Sequence, residues 1–283
     1  VMERQGAHQV TMGEATRWSL LWFSLAFVFV AILWWYLDNS QGREVANTVS
    51  MQFITGYLVE KSLSIDNIFV FLMLFSYFAV PPQFQKRPLI IGIIGAIVLR
   101  TLLILAGAWL LATFHWLLYV FGAFLVITGA KMWFAAGKEP DIATNPVLVF
   151  LRKRIRITDT FDGEKLSTMI NGVKHYTPLF VVLVLIGTTD IIFAVDSIPA
   201  IFAITNDPFI VLTANIFAIL GLRALYFLLA DLANRFHLLA YGLALVLVFI
   251  GSKMLLIYLV KIPIGYALLV TASLIAGSIV LSL

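Results

Sequence analysis

Two stretches of this chain place acids where a carboxylate is expensive. Glu60-Lys-Ser-Leu-Ser-Ile-Asp66-Asn67 and Asp190-Ile-Ile-Phe-Ala-Val-Asp196-Ser197 both sit inside long apolar runs. A charge at the centre of a bilayer costs about 3 kcal/mol on insertion scales, so an intramembrane acid marks a candidate functional site. In each stretch the acids are six residues apart, and the second is followed by a small polar residue and Ile. On a helix, positions six apart point about 120° apart and lie about 9 Å apart along the axis. One unbroken helix therefore cannot close both acids of a pair on a small ion. Either each helix offers an acid to the other stretch, or the segments unwind and backbone carbonyls join. Ser62 and Ser64 in one stretch, and Gly187, Thr188, Thr189 and Pro199 in the other, suit unwinding. Positions seven apart do share a face, within about 20°. That aligns Glu60 with Asn67 and Asp190 with Ser197.

The candidate metal ligands are thus Glu60, Asp66, Asn67, Asp190, Asp196 and Ser197. Carboxylate, amide and hydroxyl oxygens suit a hard divalent cation such as Mn2+, Mg2+ or Ca2+. Neither stretch has a His and the chain has no Cys, which argues against Zn2+. The competing reading is structural, with the acids only neutralising Lys61, Arg100, Arg223, Lys131 and Lys253. A mixture satisfies both, some acids being held by arginine and some left for an ion. Arg100 and Arg223 are expected as partners of the acids, and Lys131 and Lys253, near span ends, as snorkelling residues.

These stretches must be positioned by membrane-spanning helices. The chain is 61% hydrophobic and 12% charged, with a mean hydropathy of +1.00. Soluble domains carry about 25% charged residues. Several apolar runs reach the ~20 residues needed to cross a bilayer, and the short alternating segments of a β-barrel are missing. The fold class expected is all-α: a single polytopic transmembrane helical bundle over 1–283. Thr11-Met-Gly-Glu14 has capping-box spacing before the first span, 18–37, which ends in an interfacial belt of Trp34, Trp35 and Tyr36. The second span, about 48–78, is too long for a straight crossing, so a break or strong tilt is expected at 60–67, with Pro81-Pro82 ending it. Spans at about 89–113 and 116–134 follow, then 178–205, 209–230, 238–259 and 262–283.

The spans repeat. Gly95 to Arg100 matches Gly221 to Arg223, His115 matches His237, and Gly129-Ala-Lys-Met132 matches Gly251-Ser-Lys-Met254. Glu60 matches Asp190 and Asp66 matches Asp196. The matches are charged residues, Gly and His rather than leucines, which weighs against chance similarity of apolar helices. Repeat one is 48–134 and repeat two 178–259. Three spans is an odd number, so the second repeat enters from the opposite side: two inverted three-helix repeats, as in many secondary transporters. Gly92, Gly95, Gly107, Gly122, Gly129, Gly242 and Gly251 are expected at close helix crossings.

The loop 137–174 is the one long polar stretch. Asn145-Pro146 can start a helix, and Val147 to Ile157 reads as basic and amphipathic, suited to an anionic inner leaflet. Asn171-Gly172 is a hairpin signal. A solvated linker is the alternative for the whole segment. With this loop and the N-terminus in the cytoplasm, every Lys and Arg between spans falls inside except Arg43 and Lys261. The positive-inside bias fixes that orientation and accounts for the net charge of +4 without nucleic acid.

Glu60-Lys-Ser-Leu-Ser-Ile-Asp-Asn67, Asp190-Ile-Ile-Phe-Ala-Val-Asp-Ser-Ile-Pro-Ala200, Asp207-Pro-Phe-Ile-Val-Leu-Thr-Ala-Asn215 and Leu220-Gly-Leu-Arg-Ala-Leu-Tyr226 together resemble the TerC family, most nearly its bacterial Alx branch. The likeness covers nearly the whole chain. It implies a bacterial inner-membrane protein of a family named for tellurite resistance and, for Alx-like members, manganese export. The acidic positions it carries over are Glu60, Asp66, Asp190 and Asp196. Two departures matter. Relatives commonly have Glu where this chain has Gly187, one turn before Asp190. They also usually carry one more N-terminal span and a short C-terminal tail, which would make nine spans.

The function expected is a secondary transporter exporting a divalent cation, Mn2+ by the resemblance, possibly against protons. No resident cofactor is expected. The alternative is an anchor or scaffold subunit in metal or tellurite stress, its 137–174 loop docking a cytoplasmic protein. An intramembrane aspartyl protease would need two acids sharing a proton, and Gly187-Thr-Thr-Asp190 lacks the second glycine of those enzymes, so the chain reads as no enzyme.

Overall fold

The computed structural model describes residues 12–135, 142–230, 238–256 and 262–282; Thr11 and the side chains of Asp66, Asp196 and Arg223 lie outside the described set. The elements are α1 (Met12–Ser40), α2 (Arg43–Tyr77), α3 (Lys86–Thr113), α4 (Leu117–Ala135), α5 (Pro146–Arg154), β1 (Ser167–Ile170), β2 (Val173–Tyr176), α6 (Pro178–Phe202), α7 (Pro208–Leu220), α8 (Leu222–Ala230), α9 (Leu239–Leu255) and α10 (Ile264–Ser282). Helices α1, α3, α4, α6 and α10 are long and apolar enough to cross a membrane, and α7 and α9 are shorter apolar helices. The protein is an integral, multi-pass, all-α membrane protein.

The outer faces are apolar because lipid, not water, meets them. Leu20, Ile32 and Trp35 of α1 are exposed, as are Ile94, Leu102 and Trp109 of α3. The interior is built from α2 and α6. Helix α2 packs on α1, α6 and α7, and α3 packs on α6 and α7. Helix α4 lies along α9, and α10 covers α9 and α2.

Neither acidic stretch takes the unwound form its residues suit. Helix α2 runs unbroken through 60–67, and α6 runs unbroken through Gly187-Thr188-Thr189. Of the hydroxyls that suit unwinding, Ser62 bonds back to the Leu58 carbonyl, Thr188 to Val184 and Thr189 to Leu185, each at 2.7 Å, while Ser64 has no partner among the described residues. In apolar surroundings the carbonyl one turn back is the nearest acceptor, so the hydroxyl is satisfied without unwinding the helix. At 35 residues, α2 is about 50 Å long, well beyond a straight crossing. The interruption falls elsewhere, at Gly221, which splits the sixth span into α7 and α8.

The 137–174 loop is no linker over its described part. Asn145 caps α5, its Oδ1 accepting from the Val147 and Leu148 amides. The hairpin pairs Ser167 with Tyr176 through Ile170 with Val173, turning on Asn171 (φ 50°) and Gly172 (φ 75°), the conformations a tight hairpin requires. Arg87 at the start of α3 donates to the Glu164 carbonyl at 2.6 Å. The apolar face of α5 is divided: Val149 and Phe150 stay exposed beside the basic residues. Leu148 and Leu151 are buried in the core that also holds Leu179 and Val182 of α6, while Arg152, Lys153 and Arg154 stay exposed.

Small residues allow the closest crossing. A Cβ on Gly251 would stand 2.7 Å from the Gly122 carbonyl oxygen, and one on Gly129 2.7 Å from the Ala244 oxygen. The contacts run 122 to 251 and 129 to 244, so α4 and α9 are antiparallel. Since Gly129 matches Gly251, Gly122 matches Ala244, and the two contacts exchange with one another. Gly92, Gly107 and Gly242 also face tight neighbours, but Gly95 faces open space.

Candidate functional site

The site is assembled by three helices. Glu60 lies midway along α2, Asp190 midway along α6 and Arg100 midway along α3. The Arg100 guanidinium donates through Nη1 to Glu60 Oε1 and through Nη2 to Asp190 Oδ1, the latter at 2.9 Å. One acid from α2 and one from α6 therefore meet on a single cation. All three are buried: Glu60 is 0% exposed, Arg100 2% and Asp190 5%. Asn67 completes the cluster. In the amide orientation that satisfies both its groups, it donates to the Leu63 carbonyl and accepts from Arg100 Nη2 at 3.1 Å. Glu60 and Asn67, seven residues apart, reach the same guanidinium, as helical geometry requires.

The cluster is only half satisfied. Glu60 Oε2, Asp190 Oδ2 and Arg100 Nε are buried without a hydrogen-bond partner among the described residues. So are the hydroxyls of Ser64, Ser197 and Tyr57 and the Asn215 Nδ2. Positions 57, 60, 64 and 67 follow three-four-three spacing and form one stripe of α2. Ser197 lies two turns beyond Asp190 on α6. Buried polar atoms are nearly always paired, so the free oxygens of Glu60 and Asp190 beside one guanidinium mark a place able to receive something polar. Carboxylate oxygens are the donors a hard cation takes.

Of the other expected residues, Asp66 lies on α2 and Asp196 on α6, their side chains outside the description, as is that of Arg223. Among the described residues no three carboxylate, His or Cys side chains converge.

Lys61 departs from its expected role as a partner of the acids. Its ammonium donates to the Ala218 carbonyl at 3.0 Å and stands 5.1 Å over the Phe23 ring. The break at Gly221 explains this, because the last carbonyls of α7 lack intrahelical partners and attract a cation. The Lys61 ammonium lies against Gly221: a Cβ there would stand 2.7 Å from Lys61 Nζ and 3.1 Å from Trp22 Cβ. Lys131 is exposed on α4 and Lys253 half-buried in the last turn of α9.

The model of the integral membrane protein TerC family matches residues 45–283. Alx of Salmonella typhi is 56% identical over 265 residues, which is 94% of this chain and 82% of that protein. This chain belongs to the TerC family. Alx of Photorhabdus laumondii is 50% identical over 279 residues, 99% of this chain and 87% of its own length. Both relatives are described, provisionally, as membrane-bound redox modulators. A Rickettsia felis membrane protein is 42% identical over 270 residues, 95% of this chain and 87% of that one. No solved structure matches. The TerC match begins at residue 45, so it takes in α2 from its first turn and every residue of the buried cluster, but not α1.

Gly187 lies one turn before Asp190, is exposed, and has nothing within 4 Å of a built Cβ. A Glu there is sterically admitted, with Cβ about 5–6 Å from that of Asp190. Gly187→Glu should tighten Mn2+ binding by about ten-fold, equivalent to 1.4 kcal/mol. Gly187→Ala should leave affinity unchanged while raising helix stability by about 1 kcal/mol. Isothermal titration on both variants checks this, and equal affinities would remove position 187 from the site.

Proposed function

We propose that this protein is a secondary transporter of the bacterial inner membrane that exports a divalent cation, with Mn2+ as the ion. The observation that carries the reading is the buried meeting of Glu60 and Asp190, from different repeats, each with an oxygen left unpartnered. Transporters built from inverted repeats bind substrate near the midplane where the repeats meet. The exchanged contacts of α4 and α9 support that architecture, because a twofold axis relating antiparallel helices lies across them, in the plane of the membrane. Asp66 and Asp196 extend the proposed ligand set along the same helices. The proposed orientation puts α5 and the hairpin in the cytoplasm. Export is proposed as proton-coupled, since carboxylates that release a metal can take up protons. The protein is read as no enzyme and as needing no resident cofactor.

The redox role in the relatives' description can be reconciled with this. The chain has no cysteine among its 283 residues, so it offers no thiol couple. Control of a redox-active metal would act on redox state indirectly. A second reading, a scaffold that docks a cytoplasmic partner, is favoured by the folded α5–hairpin unit with its exposed basic face. Purified protein in liposomes separates the two. A transporter should move Mn2+ down an imposed gradient with no partner present. Inserted, folded protein that gives no flux above empty liposomes would support the scaffold.

A further inference from the structure

We propose that the Arg100 guanidinium is the resident cation of the transport site, an internal stand-in that the transported metal ion must displace. The proposal rests on the export reading and adds how the site is held between transport events. Three observations carry it. First, Arg100 occupies the space a shared ion would take, bonded at once to Glu60 of one repeat and Asp190 of the other. Second, its pairing is poor for a permanent strut. Arginine used structurally grips a carboxylate with two parallel bonds. Here it gives one bond to each acid, and both second oxygens and its own Nε stay buried and unpartnered. A half-satisfied buried ion network is unfavourable, so the arrangement is poised for replacement. Third, the charges match a different occupant. Among the described residues the two carboxylates carry two negative charges, of which the guanidinium offsets one and a divalent cation in its place would offset both. Lys61 does not offset the other, since its ammonium is turned to the Ala218 carbonyl.

An occupant that leaves before the metal enters lowers apparent affinity by the fraction of time it is bound. It also keeps the acids compensated when no metal is present, so the empty site need not admit water or leak ions.

The test is Mn2+ binding by isothermal titration to the purified full chain, wild type and Arg100→Ala, with liposome flux on both. Arg100→Ala should bind Mn2+ about ten-fold more tightly or better. Millimolar guanidinium chloride, filling the space left by the side chain, should weaken binding to Arg100→Ala and leave wild type unaffected. If Arg100→Ala does not fold, Arg100→Lys keeps the charge but cannot span both acids, and should bind several-fold more tightly than wild type. Wild type that transports, with either folded variant binding no more tightly, would make Arg100 a fixed strut and overturn this proposal alone. Wild type that neither binds nor moves Mn2+ overturns both this proposal and the export reading.

Discussion

Asp190→Asn should cut Mn2+ export by about a hundred-fold or more while leaving the protein folded and inserted. The magnitude follows from the binding scale: removing one partner of a buried charge pair across a binding contact costs about 2–5 kcal/mol, and 1.4 kcal/mol is ten-fold. The fold should survive because of what remains. Arg100 keeps Glu60, so the variant retains one balanced buried pair instead of an orphaned charge. Binding suffers twice. A hard cation loses a ligand carboxylate, whose charge offsets its dehydration. Arg100, now matched one-to-one, is held more firmly by Glu60. Glu60→Gln should act alike, with Asp190 retained as the arginine's partner. Everted vesicles loaded by either variant, checked for inserted protein, give the measurement. Normal flux from both would assign the acids a structural role and leave the scaffold reading ahead.

Much of this site was legible in the residues because the bilayer makes acids conspicuous. Glu60, Asp190 and Arg100 stand out from leucine and phenylalanine without any structure. The face shared by Glu60 and Asn67 follows from helical periodicity alone. What could not be read was direction and partner. Lys61 sits beside Glu60 in sequence yet points about a third of a turn away, to a carbonyl freed by an interruption 160 residues later in the chain. Serine and threonine were ambiguous for a related reason. The same hydroxyl that can stabilise an unwound segment can bond its own helix, and packing decides which. On α2 and α6 the helix won; the interruption came at Gly221 instead. The α5 helix was legible as amphipathic; that Leu148 and Leu151 pack on α6 was not, because periodicity gives a face and not its partner.

Gly251→Val should destabilise the bundle by about 1–3 kcal/mol, the usual cost of overpacking a tight contact. The built Cβ is 2.7 Å from the Gly122 oxygen, 2.9 Å from Leu125 Cβ and 2.9 Å from Val126 Cγ2. One of these is backbone, so no rotamer change relieves the clash and α4 must move off α9. Helix propensity favours Val over Gly by a few tenths of a kcal/mol, too little to compensate. Gly129→Val meets the Ala244 oxygen at 2.7 Å and the Val248 amide nitrogen at 3.0 Å, and should cost a similar amount. Thermal unfolding in detergent reads both, with Gly187→Ala as the helix-glycine control that should move the other way. A Gly251→Val protein as stable as wild type would mean the crossing is looser than its backbone contacts indicate. The double variant distinguishes further. Once either valine has parted the helices, the second clash is already relieved, so the two losses should sum to more than the double variant shows. Additive losses would mean that the two contacts yield independently, and that α4 and α9 do not move as one rigid crossing.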